Sequence, residues 1–360
     1  MDHGLRRSHL GARLTELGVE GLVVTRLPNV RYLTGFTGSN AQVVVAVDGS
    51  AVFLTDGRYG AQSSHEVPDL PRTVYRQGYP QPLVDACRTL GIDRAGFERH
   101  ALTYEGWEQL TDRAEGIELV PVGPEVEQLR RTKDPEETAL IDRAQGCADR
   151  AFETVVLGGG LREGVTERAF ALVLETAMVE AGAEDRAFDS IVAFGDHAAE
   201  PHHHLTDRGL ARGDMVKLDF GARVDGYHSD ITRTVAFGEP DPRLQEIRDV
   251  VAAAQRAGIE AVRPGISTIE VDAAARSVIV DAGHGDAFPH GLGHGVGLEI
   301  HEAPSLRWDG GEELVEGMVV TIEPGVYIPG LGGVRIEDMV EVTAHGRREI
   351  PRATKELMVL

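Results

Sequence analysis

Apolar residues near the start of the chain follow first the spacing of a helix and then that of short strands. A helical spacing runs from Leu5 to Leu17, and Gly18, a residue type that often ends helices, comes next. Further along, two short apolar runs flank Asp48-Gly49, which is a strong signal for a β-hairpin. We therefore predict a small α/β domain over residues 1–125.

The remaining chain shows longer helical patterns and predicts a second domain over residues 126–360. The stretch from Pro121 to Pro124 is typical of a linker. A helix is then predicted over 134–157, because Asp134 has the properties of an N-cap and Glu137 stands at the third helical position.

Two segments of this second domain are similar to each other. Gly164–Gly182 and Gly265–Gly283 each open with a Ser/Thr cap, continue as an amphipathic helix and end in Glu/Asp-Ala-Gly. Each follows another predicted helix and precedes a predicted β-hairpin. The pattern predicts an internally duplicated α+β domain.

The first hairpin carries two carboxylates in otherwise apolar strands. Asp219 and Asp230 are centred on position 224.5, next to the turn Asp225-Gly226, so they fall nearly opposite each other if the register is within a residue or two. Two carboxylates that close repel each other, so either one is protonated or both hold a cation.

The second hairpin repeats this arrangement. Glu323 and Glu337 are placed symmetrically about Gly330, again within apolar strands where an unpaired charge is costly. One such acid would be typical of a salt bridge or a strand edge. Four acids on two matched hairpins favour a pair of divalent metal ions, for which carboxylate and imidazole ligands suit Mn²⁺, Co²⁺, Fe²⁺ or Zn²⁺.

Histidines strengthen the metal hypothesis. His290, His294 and His301 lie within one short Gly-rich stretch, and His202 belongs to a His-His-His run just before the first acidic strand. The glycines of this stretch allow close backbone approach. They do not form a phosphate-binding loop, because no strand-then-helix context and no Lys-Ser/Thr surround them.

Composition excludes several classes of function. With 36 Lys and Arg against 58 Asp and Glu, the formal net charge is −22, and no basic stripe is present, so we expect no nucleic-acid partner. Two cysteines cannot build a disulfide framework or a Cys-based zinc site. No apolar run reaches bilayer length and the start lacks a secretory core, so we expect a cytoplasmic protein without a membrane partner.

These motifs resemble the pita-bread metallopeptidase family M24, which includes methionine aminopeptidase, aminopeptidase P and prolidase. The family's metal ligands map onto LDFG, HSDITRT, GLGHGVGL, TIEPG and RIED, that is, onto Asp219, Asp230, His294, Glu323 and Glu337. The N-terminal motifs NVRYLTGFTGSNA and FLTDGRY resemble the small first domain of the aminopeptidase P and prolidase branch. Creatinase shares this layout but lacks the metal ligands.

The resemblance implies roles for individual residues. Asp230 and Glu337 would bridge two metal ions, Asp219 would hold one, and His294 and Glu323 would hold the other. The catalytic and substrate-contacting groups would be His202, His290, His301 and Glu323. Residues that orient these groups or contact substrate would be Tyr227, Tyr327, Arg335 and Arg307. Mn²⁺ is the preferred metal, with Co²⁺ and Zn²⁺ as alternatives.

The implied activity is hydrolysis of the bond between an N-terminal residue and a following proline, on proline-containing peptides. Prolidases of the family commonly carry an Arg four residues after the His of the His-Glu motif, and this chain has Ser305 there, with Arg307 two residues on. This difference favours an aminopeptidase P-like enzyme, with an Xaa-Pro dipeptidase as the alternative. A non-catalytic peptide- or histone-binding module and a two-metal phosphoesterase are the competing interpretations. A homodimer is typical of relatives.

Overall fold

The computed structural model describes all 360 residues, and the chain divides into two compact units, Met1–Arg130 and Arg131–Leu360. In the first unit the elements follow in the order α1 (His3–Glu16), β1 (Gly21–Val24), α2 (Leu27–Thr34), β2 (Ala41–Ala46), β3 (Ala51–Asp56), α3 (Gly60–Glu66), β4 (Arg72–Tyr75), α4 (Pro80–Thr89), β5 (Arg94–Glu98), α5 (Tyr104–Thr111), β6 (Glu118–Val122) and α6 (Glu125–Arg130).

A six-stranded mixed sheet forms the centre of the first unit, in the order β4-β3-β2-β1-β5-β6. Strands β2 and β3 form the hairpin predicted around Asp48-Gly49, with Val45 facing Ala51 next to the turn. Gly49 has a φ of 83°, a conformation that glycine adopts without strain. The predicted α/β character of this unit is confirmed.

The predicted linker at Pro121–Pro124 is wrong in part. Pro121 and Val122 end strand β6, where Pro121 pairs with Phe97 and Val122 with Glu98. Strand β6 is an edge strand of the sheet. Proline is tolerated at such an edge because the N–H that it lacks is not needed by a further strand.

The second unit contains four long helices and thirteen strands. Its helices are α7 (Pro135–Ala151, continued by a π-helix at Phe152–Leu157), α8 (Glu167–Glu180), α9 (Pro242–Ala261) and α10 (Thr268–Asp281). Its strands are β7 (Asp185–Arg186), β8 (Ile191–Phe194), β9 (Asp214–Phe220), β10 (Ala222–Val224), β11 (Tyr227–His228), β12 (Ile231–Phe237), β13 (Gly293–Gly295), β14 (Glu302–Leu306), β15 (Val319–Ile322), β16 (Gly325–Ile328), β17 (Gly332–Arg335), β18 (Asp338–Thr343) and β19 (Gly346–Glu349).

Helix capping in the second unit follows the predicted signals. Asp134 caps α7 in a complete capping box with Glu137. The similar helices α8 and α10 have 14 residues each and begin after the N-caps Thr166 and Ser267. Each of these two caps also forms an isolated β-bridge with a later segment of the chain. The structure thus confirms the duplicated helix pattern.

Each helix pair of the second unit packs on its own strands. One core joins α7 and α8 to the three-stranded sheet β12-β9-β8, and a second core joins α9 and α10 to the five-stranded sheet β14-β13-β15-β18-β19. The two halves therefore repeat one layer arrangement of helices on an antiparallel sheet. Along β9, Leu218 and Phe220 belong to the first core, whereas Asp219 between them points to the opposite face of the strand.

Candidate metal centre and active-site cavity

A cavity of about 590 Å³ lies in the second unit and collects most of the residues singled out from the sequence. This volume is typical of small-molecule sites. The predicted residues that line the cavity are His202, Asp219, Asp230, His290, His294, His301, Arg307, Glu323, Arg335 and Glu337. Tyr227 and Tyr327 are not among the lining residues.

The first ribbon, which we define as β9 to β12, positions Asp219 and Asp230. Its tight turn is Asp225-Gly226, with φ values of 48° and 77° that match a hairpin turn. Strands β9 and β12 pair so that Asp219 faces Thr232, two residues beyond Asp230. The two acids are thus diagonal neighbours rather than a directly opposed pair, within the predicted tolerance of register.

The second ribbon, which we define as β15 to β18, positions Glu323 and Glu337 at an interruption of its ladder. Ile322 faces Asp338 on one side of the interruption and Gly325 faces Arg335 on the other. The same register runs through both parts, and its continuation places Glu323 opposite Glu337. Both acids therefore leave the ladder at one point, as the symmetry of the sequence predicts.

Hydrogen bonds between Thr232 and Glu337 join the ribbons beside these acids. The backbone N–H of Glu337 donates to the carbonyl of Thr232 at 3.1 Å. The hydroxyl of Thr232 donates to Glu337 Oε2 at 2.6 Å. Thr232 pairs with Asp219 in the ladder and with Glu337 in an isolated β-bridge, and it thereby brings these two acids together.

His294 reaches this group from β13. Its Nδ1 lies 3.0 Å from the carbonyl of Gly295, an acceptor, so Nδ1 carries the proton. Burial lowers the pKa of His294 to about 3, so the ring is neutral and Nε2 carries a lone pair. Nε2 lies 3.6 Å from Asp230 Oδ2 and 3.4 Å from Glu323 Oε1. The lone pair of His294 Nε2 thus faces the lone pairs of the two carboxylate oxygens. A cation placed between them would stabilise this arrangement.

The buried carboxylates also indicate a site for a cation. Burial, reinforced by Glu337 and Asp219, raises the pKa of Asp230 well above its ordinary value, and burial likewise raises that of Glu337. Burial raises the pKa of Glu323 to about 7, although Arg335 opposes the shift. Buried polar atoms are normally hydrogen-bonded, yet Asp219 Oδ1 and Asp230 Oδ1 have no partner. Ligand atoms of Asp230, His294 and Glu337 lie within 4.8 Å of one another, so the residues fit divalent metal.

A second cluster of metal-ligand types does not show this pattern. Glu167, His197 and His203 also have ligand atoms within 4.8 Å of one another. Each oxygen of Glu167, however, accepts hydrogen bonds, from Phe194 N and His197 at Oε1, and from His203 and Thr206 at Oε2. This carboxylate is satisfied by protein donors, so we interpret it as an anchor within the fold.

Arg335 connects the acids to a histidine on the other side of the cavity. Its Nη2 donates to Asp219 Oδ2 in a close ion pair, its Nε donates to Thr232 Oγ1 at 3.0 Å, and its Nη1 donates to Tyr327 Oη at 3.0 Å. Tyr327 in turn lies 2.9 Å from His290 Nε2. Burial raises the pKa of Tyr327 to about 12, so its hydroxyl keeps the proton and donates it in this hydrogen bond.

The tautomer of His290 follows from its two neighbours. Nδ1 lies 2.8 Å from the carbonyl of Gly291 and therefore donates, whereas Nε2 accepts from Tyr327. Burial lowers the pKa of His290 to about 3. Both ring nitrogens are thus occupied, and His290 has no free N–H for a substrate in this arrangement.

His202 and His301 are placed differently. The ring of His301 packs edge-on against His294, with centroids 4.3 Å apart, and the residue is exposed at the cavity. Burial, together with Arg335, lowers the pKa of His202. Neither ring makes a hydrogen bond with the protein, so both have nitrogens available to a bound molecule.

The structure places Tyr227 outside the residues that line the cavity. Its hydroxyl donates to Glu137 Oε1 at 2.8 Å, which joins strand β11 to the N-terminal turn of α7 rather than to a metal-facing carboxylate. Tyr227 directly follows the hairpin turn, at the end of the ribbon away from the acids. Arg307 lines the cavity, and its Nε forms a close ion pair with the exposed Asp309.

Sequence reasoning missed three residues at this site. Thr321 donates to Glu323 Oε1 at 3.3 Å and accepts from the N–H of His294 at 3.0 Å, and it thereby matches the role of Thr232. Both threonines stand two residues from an acid on the same strand, so alternation places them on the acid's face. Trp308 also lines the cavity, but no pattern in the sequence marks it.

Two family models match the chain. The model of metallopeptidase family M24 matches residues 139–344, and the model of the creatinase/prolidase N-terminal domain matches residues 6–132. Over 345 residues, the chain is 42% identical to the uncharacterized peptidase YqhT of Bacillus subtilis (strain 168), covering 96% of this chain and 97% of that protein.

Two solved structures share the fold throughout. An Xaa-Pro dipeptidase from Bacillus anthracis superposes with a TM-score of 0.95 at 38% identity, covering 99% of this chain and all 100% of that one. An X-Pro aminopeptidase from Thermotoga maritima MSB8 superposes with a TM-score of 0.88 at 32% identity, covering 97% and 100%. None of the helices combines the length and apolar character that crossing a bilayer requires.

Proposed function

Because the chain belongs to metallopeptidase family M24 and carries a creatinase/prolidase N-terminal domain, we propose that it hydrolyses the peptide bond between an N-terminal residue and a following proline. The observation that carries this proposal is the convergence of Asp219, Asp230, His294, Glu323 and Glu337 on one cavity, with two carboxylate oxygens left without a hydrogen-bond partner. Solved relatives of similar fold are an Xaa-Pro dipeptidase and an X-Pro aminopeptidase.

These five residues are proposed to hold two divalent ions, with Mn²⁺ as the first choice and Co²⁺ or Zn²⁺ as alternatives. Asp230 and Glu337 would be shared between the ions, Asp219 would serve one, and His294 and Glu323 the other. Such ions, when bound, polarise a carbonyl group and lower the pKa of water.

Side chains around the cavity are proposed to transfer the proton and to stabilise the developing charge. A water oxygen attacks the carbonyl carbon that precedes proline, and Glu323 accepts the proton that this water loses. His301 or His202, whose ring nitrogens are not used by the protein, donates a hydrogen bond to the oxygen that gains negative charge. As the C–N bond breaks, the proton passes to the proline nitrogen, which leaves as a free amine.

Hydrolysis of defined peptides tests this function. We expect metal-loaded protein to cleave Xaa-Pro-Xaa peptides and to leave the matched Xaa-Ala-Xaa peptides intact. N-acetylation of the first residue should abolish cleavage, because the free α-amine is proposed to lie near the acids. Equal cleavage of the proline and alanine peptides would contradict the proposal. Absence of turnover by protein that contains the metal would favour a peptide-binding module.

We propose an aminopeptidase that acts on peptides longer than two residues. A dipeptide substrate places a carboxylate beside the proline, and this chain has Ser305 at the position of the usual arginine. Arg307, the other basic residue on that rim, is already paired with Asp309. We expect a higher kcat/KM for Xaa-Pro-Xaa than for Xaa-Pro.

The Xaa-Pro dipeptidase remains the second candidate, because Arg307 lines the same cavity and an Xaa-Pro dipeptidase superposes closely on the chain. Arg307→Ala discriminates between the two. For an aminopeptidase, the substitution changes kcat/KM for both peptides by less than about threefold. For a dipeptidase, kcat/KM for Xaa-Pro falls by about 10-fold or more, as expected when a carboxylate loses a charged partner.

Cytoplasmic location and a homodimer complete the proposal. Static light scattering of the purified chain gives the mass that distinguishes a dimer from a monomer, and cell fractionation gives the location. Metal analysis after expression in medium with several divalent metals identifies the ion that is retained.

A further inference from the structure

Lys217 is a fully buried lysine that the proposed chemistry does not use. It lies on β9 two residues before Asp219, and its relative exposure is 0%. Lysine is almost never buried completely unless its charge has partners. Lys217 makes no ion pair, and it is absent from the residues that line the cavity. Its amino group must therefore be stabilised in another way.

Backbone carbonyls of a single loop surround the amino group of Lys217. Its Nζ donates to the carbonyls of Ala198 at 3.2 Å and of Pro201 at 3.3 Å, and it makes a closer bond to the carbonyl of Glu200. Burial lowers the pKa of Lys217 to about 6, and these three carbonyl oxygens accept hydrogen bonds from its amino group. The opposite side of the group faces the ring of Tyr327, 5.1 Å from the centroid.

The loop bound by Lys217 leads into His202. We call residues 198–203 the histidine loop. Arg335 Nη1 also donates to the carbonyl of Pro201, at 3.2 Å. Strand β17 packs directly on the loop, because a Cβ added at Gly333 would lie 2.2 Å from the carbonyl oxygen of Ala198.

A second anchor holds the loop on the other side of His202. The ring of His203 bridges two carboxylates, with Nδ1 2.9 Å from Glu200 Oε2 and Nε2 2.8 Å from Glu167 Oε2. His203 is buried, and each of its ring nitrogens lies within hydrogen-bond distance of a carboxylate oxygen. The ring of His202 itself makes no hydrogen bond with the protein, so its place at the cavity is determined by the backbone on either side.

We propose that Lys217 is a positioning residue that holds the histidine loop through three carbonyls and so places the ring of His202 in the active-site cavity. Lys217 does not line the cavity, and the acceptors of its hydrogen bonds all belong to the histidine loop. The inference rests on the proposed function, since His202 is taken to contact the substrate there.

A double-mutant cycle between Lys217 and His202 tests the proposal. Lys217→Met keeps the length of the side chain and removes the amino group that donates to the loop. We expect it to lower kcat/KM for an Xaa-Pro-Xaa peptide by roughly 10–100-fold, since a small displacement of a positioned group has effects of this size. In the His202→Ala background the same substitution should change kcat/KM by less than about twofold, with the metal content unchanged.

Lys133→Met is the matched control. Lys133 is also a buried lysine of the second unit, but it pairs with Glu302 and lies away from the histidine loop. Any loss that Lys133→Met causes should be the same in both His202 backgrounds. Equal losses for Lys217→Met in both backgrounds, or no loss in either, would overturn the proposal.

A measurement without turnover separates this inference from the proposed function. The metal-free protein, labelled at histidine Cε1 with ¹³C, gives ring signals for its 14 histidines. His202→Ala identifies the signal of His202. We expect that signal to shift or broaden in Lys217→Met and to stay in place in Lys133→Met. An unchanged signal overturns the positioning role even if the enzyme is active, and a changed signal supports it even if no peptide is cleaved.

Lys217→Gln provides a second variant that retains two N–H donors on a shorter chain. We expect a loss smaller than that of Lys217→Met, again confined to the background with His202. If neither variant folds, Lys217 stabilises the whole sheet rather than the histidine loop alone, and the positioning role is rejected.

Discussion

The hydroxyl of Thr232 donates to Glu337 Oε2 at 2.6 Å while accepting from Arg335 Nε at 3.0 Å. This one side chain joins the first ribbon to the second and lies opposite Asp219 in the ladder. It therefore fixes the orientation of one proposed ligand directly and of another through Arg335.

Replacing Thr232 tests how far this contact supports metal binding. Thr232→Val has nearly the same shape but leaves a buried carboxylate oxygen and a guanidinium N–H without their partner. Loss of such an orienting contact typically lowers metal affinity about 10–100-fold. Titration with a competing chelator measures the change. Thr232→Ser, which keeps the hydroxyl, should bind within about threefold of wild type, and a Val variant that binds equally well would contradict the prediction.

Asp230→Asn should separate metal binding from the stability of the metal-free fold. The variant loses a proposed bridging ligand, so we expect elemental analysis to show reduced metal and peptide hydrolysis to disappear. Metal-free Asp230→Asn should nevertheless unfold at a higher urea concentration than metal-free wild type. The amide at position 230 carries no charge that burial would disfavour, and its N–H can donate to a neighbouring carboxylate; a hydrogen bond to a charged group contributes about 1.5–3 kcal/mol.

The control for this variant is Asp207→Asn, which changes an exposed aspartate paired with Arg168. It should alter neither the metal content nor the stability measurably. A metal-free Asp230→Asn protein less stable than wild type would show that the cluster does not depend on a cation.

Gly293→Ala tests the close approach of β13 to β15. A Cβ at this position would lie 2.0 Å from the carbonyl oxygen of Thr321, so the two strands must separate. Overpacking of this kind costs about 1–3 kcal/mol, and it also moves His294, the next residue. We expect a lower midpoint of denaturant unfolding together with reduced metal content. Gly57→Ala, where a Cβ meets no atom within 4 Å, should change neither quantity.

His290 should make the metal-free fold less stable as the pH falls. Burial, with Arg335, His202 and Arg276 nearby, lowers the pKa of His290 to about 3, whereas an unfolded chain has a histidine pKa near about 6.5. Below the unfolded pKa, the unfolded state therefore binds a proton that the folded state does not. The contribution of the neutral, buried His290 ring to the free energy of unfolding is therefore complete above the unfolded pKa. It declines as the pH falls toward the folded pKa.

Urea unfolding between pH 7 and pH 5 measures this effect. The difference in unfolding free energy between wild type and His290→Gln should change with pH by up to about 1.4 kcal/mol per unit, with wild type losing more stability at low pH. Parallel pH dependences of the two proteins would show that His290 is not buried as a neutral ring.

Much of the fold was predictable because its signals are local. The cap at Asp134, the turns Asp48-Gly49 and Asp225-Gly226, and the similar helices α8 and α10 each depend on residues close in sequence. The prediction failed at Pro121, where a strand edge rather than a linker accommodates the proline, because pairing with β5 is a long-range contact. The same limit explains Tyr227, whose partner Glu137 is 90 residues away.

The amino-acid sequence by itself determined that two ribbons each carry a pair of acids, because strand alternation and turn chemistry act between near neighbours. Only the tertiary structure decided which groups meet: that Thr232, not Asp230, faces Asp219, that His290 is occupied by Tyr327 and Gly291, and that Lys217 holds the loop before His202. The acceptors of Lys217 are backbone carbonyls, which every residue has. Nothing in a residue's identity marks such an acceptor, so only the packing of distant strands and loops could select it.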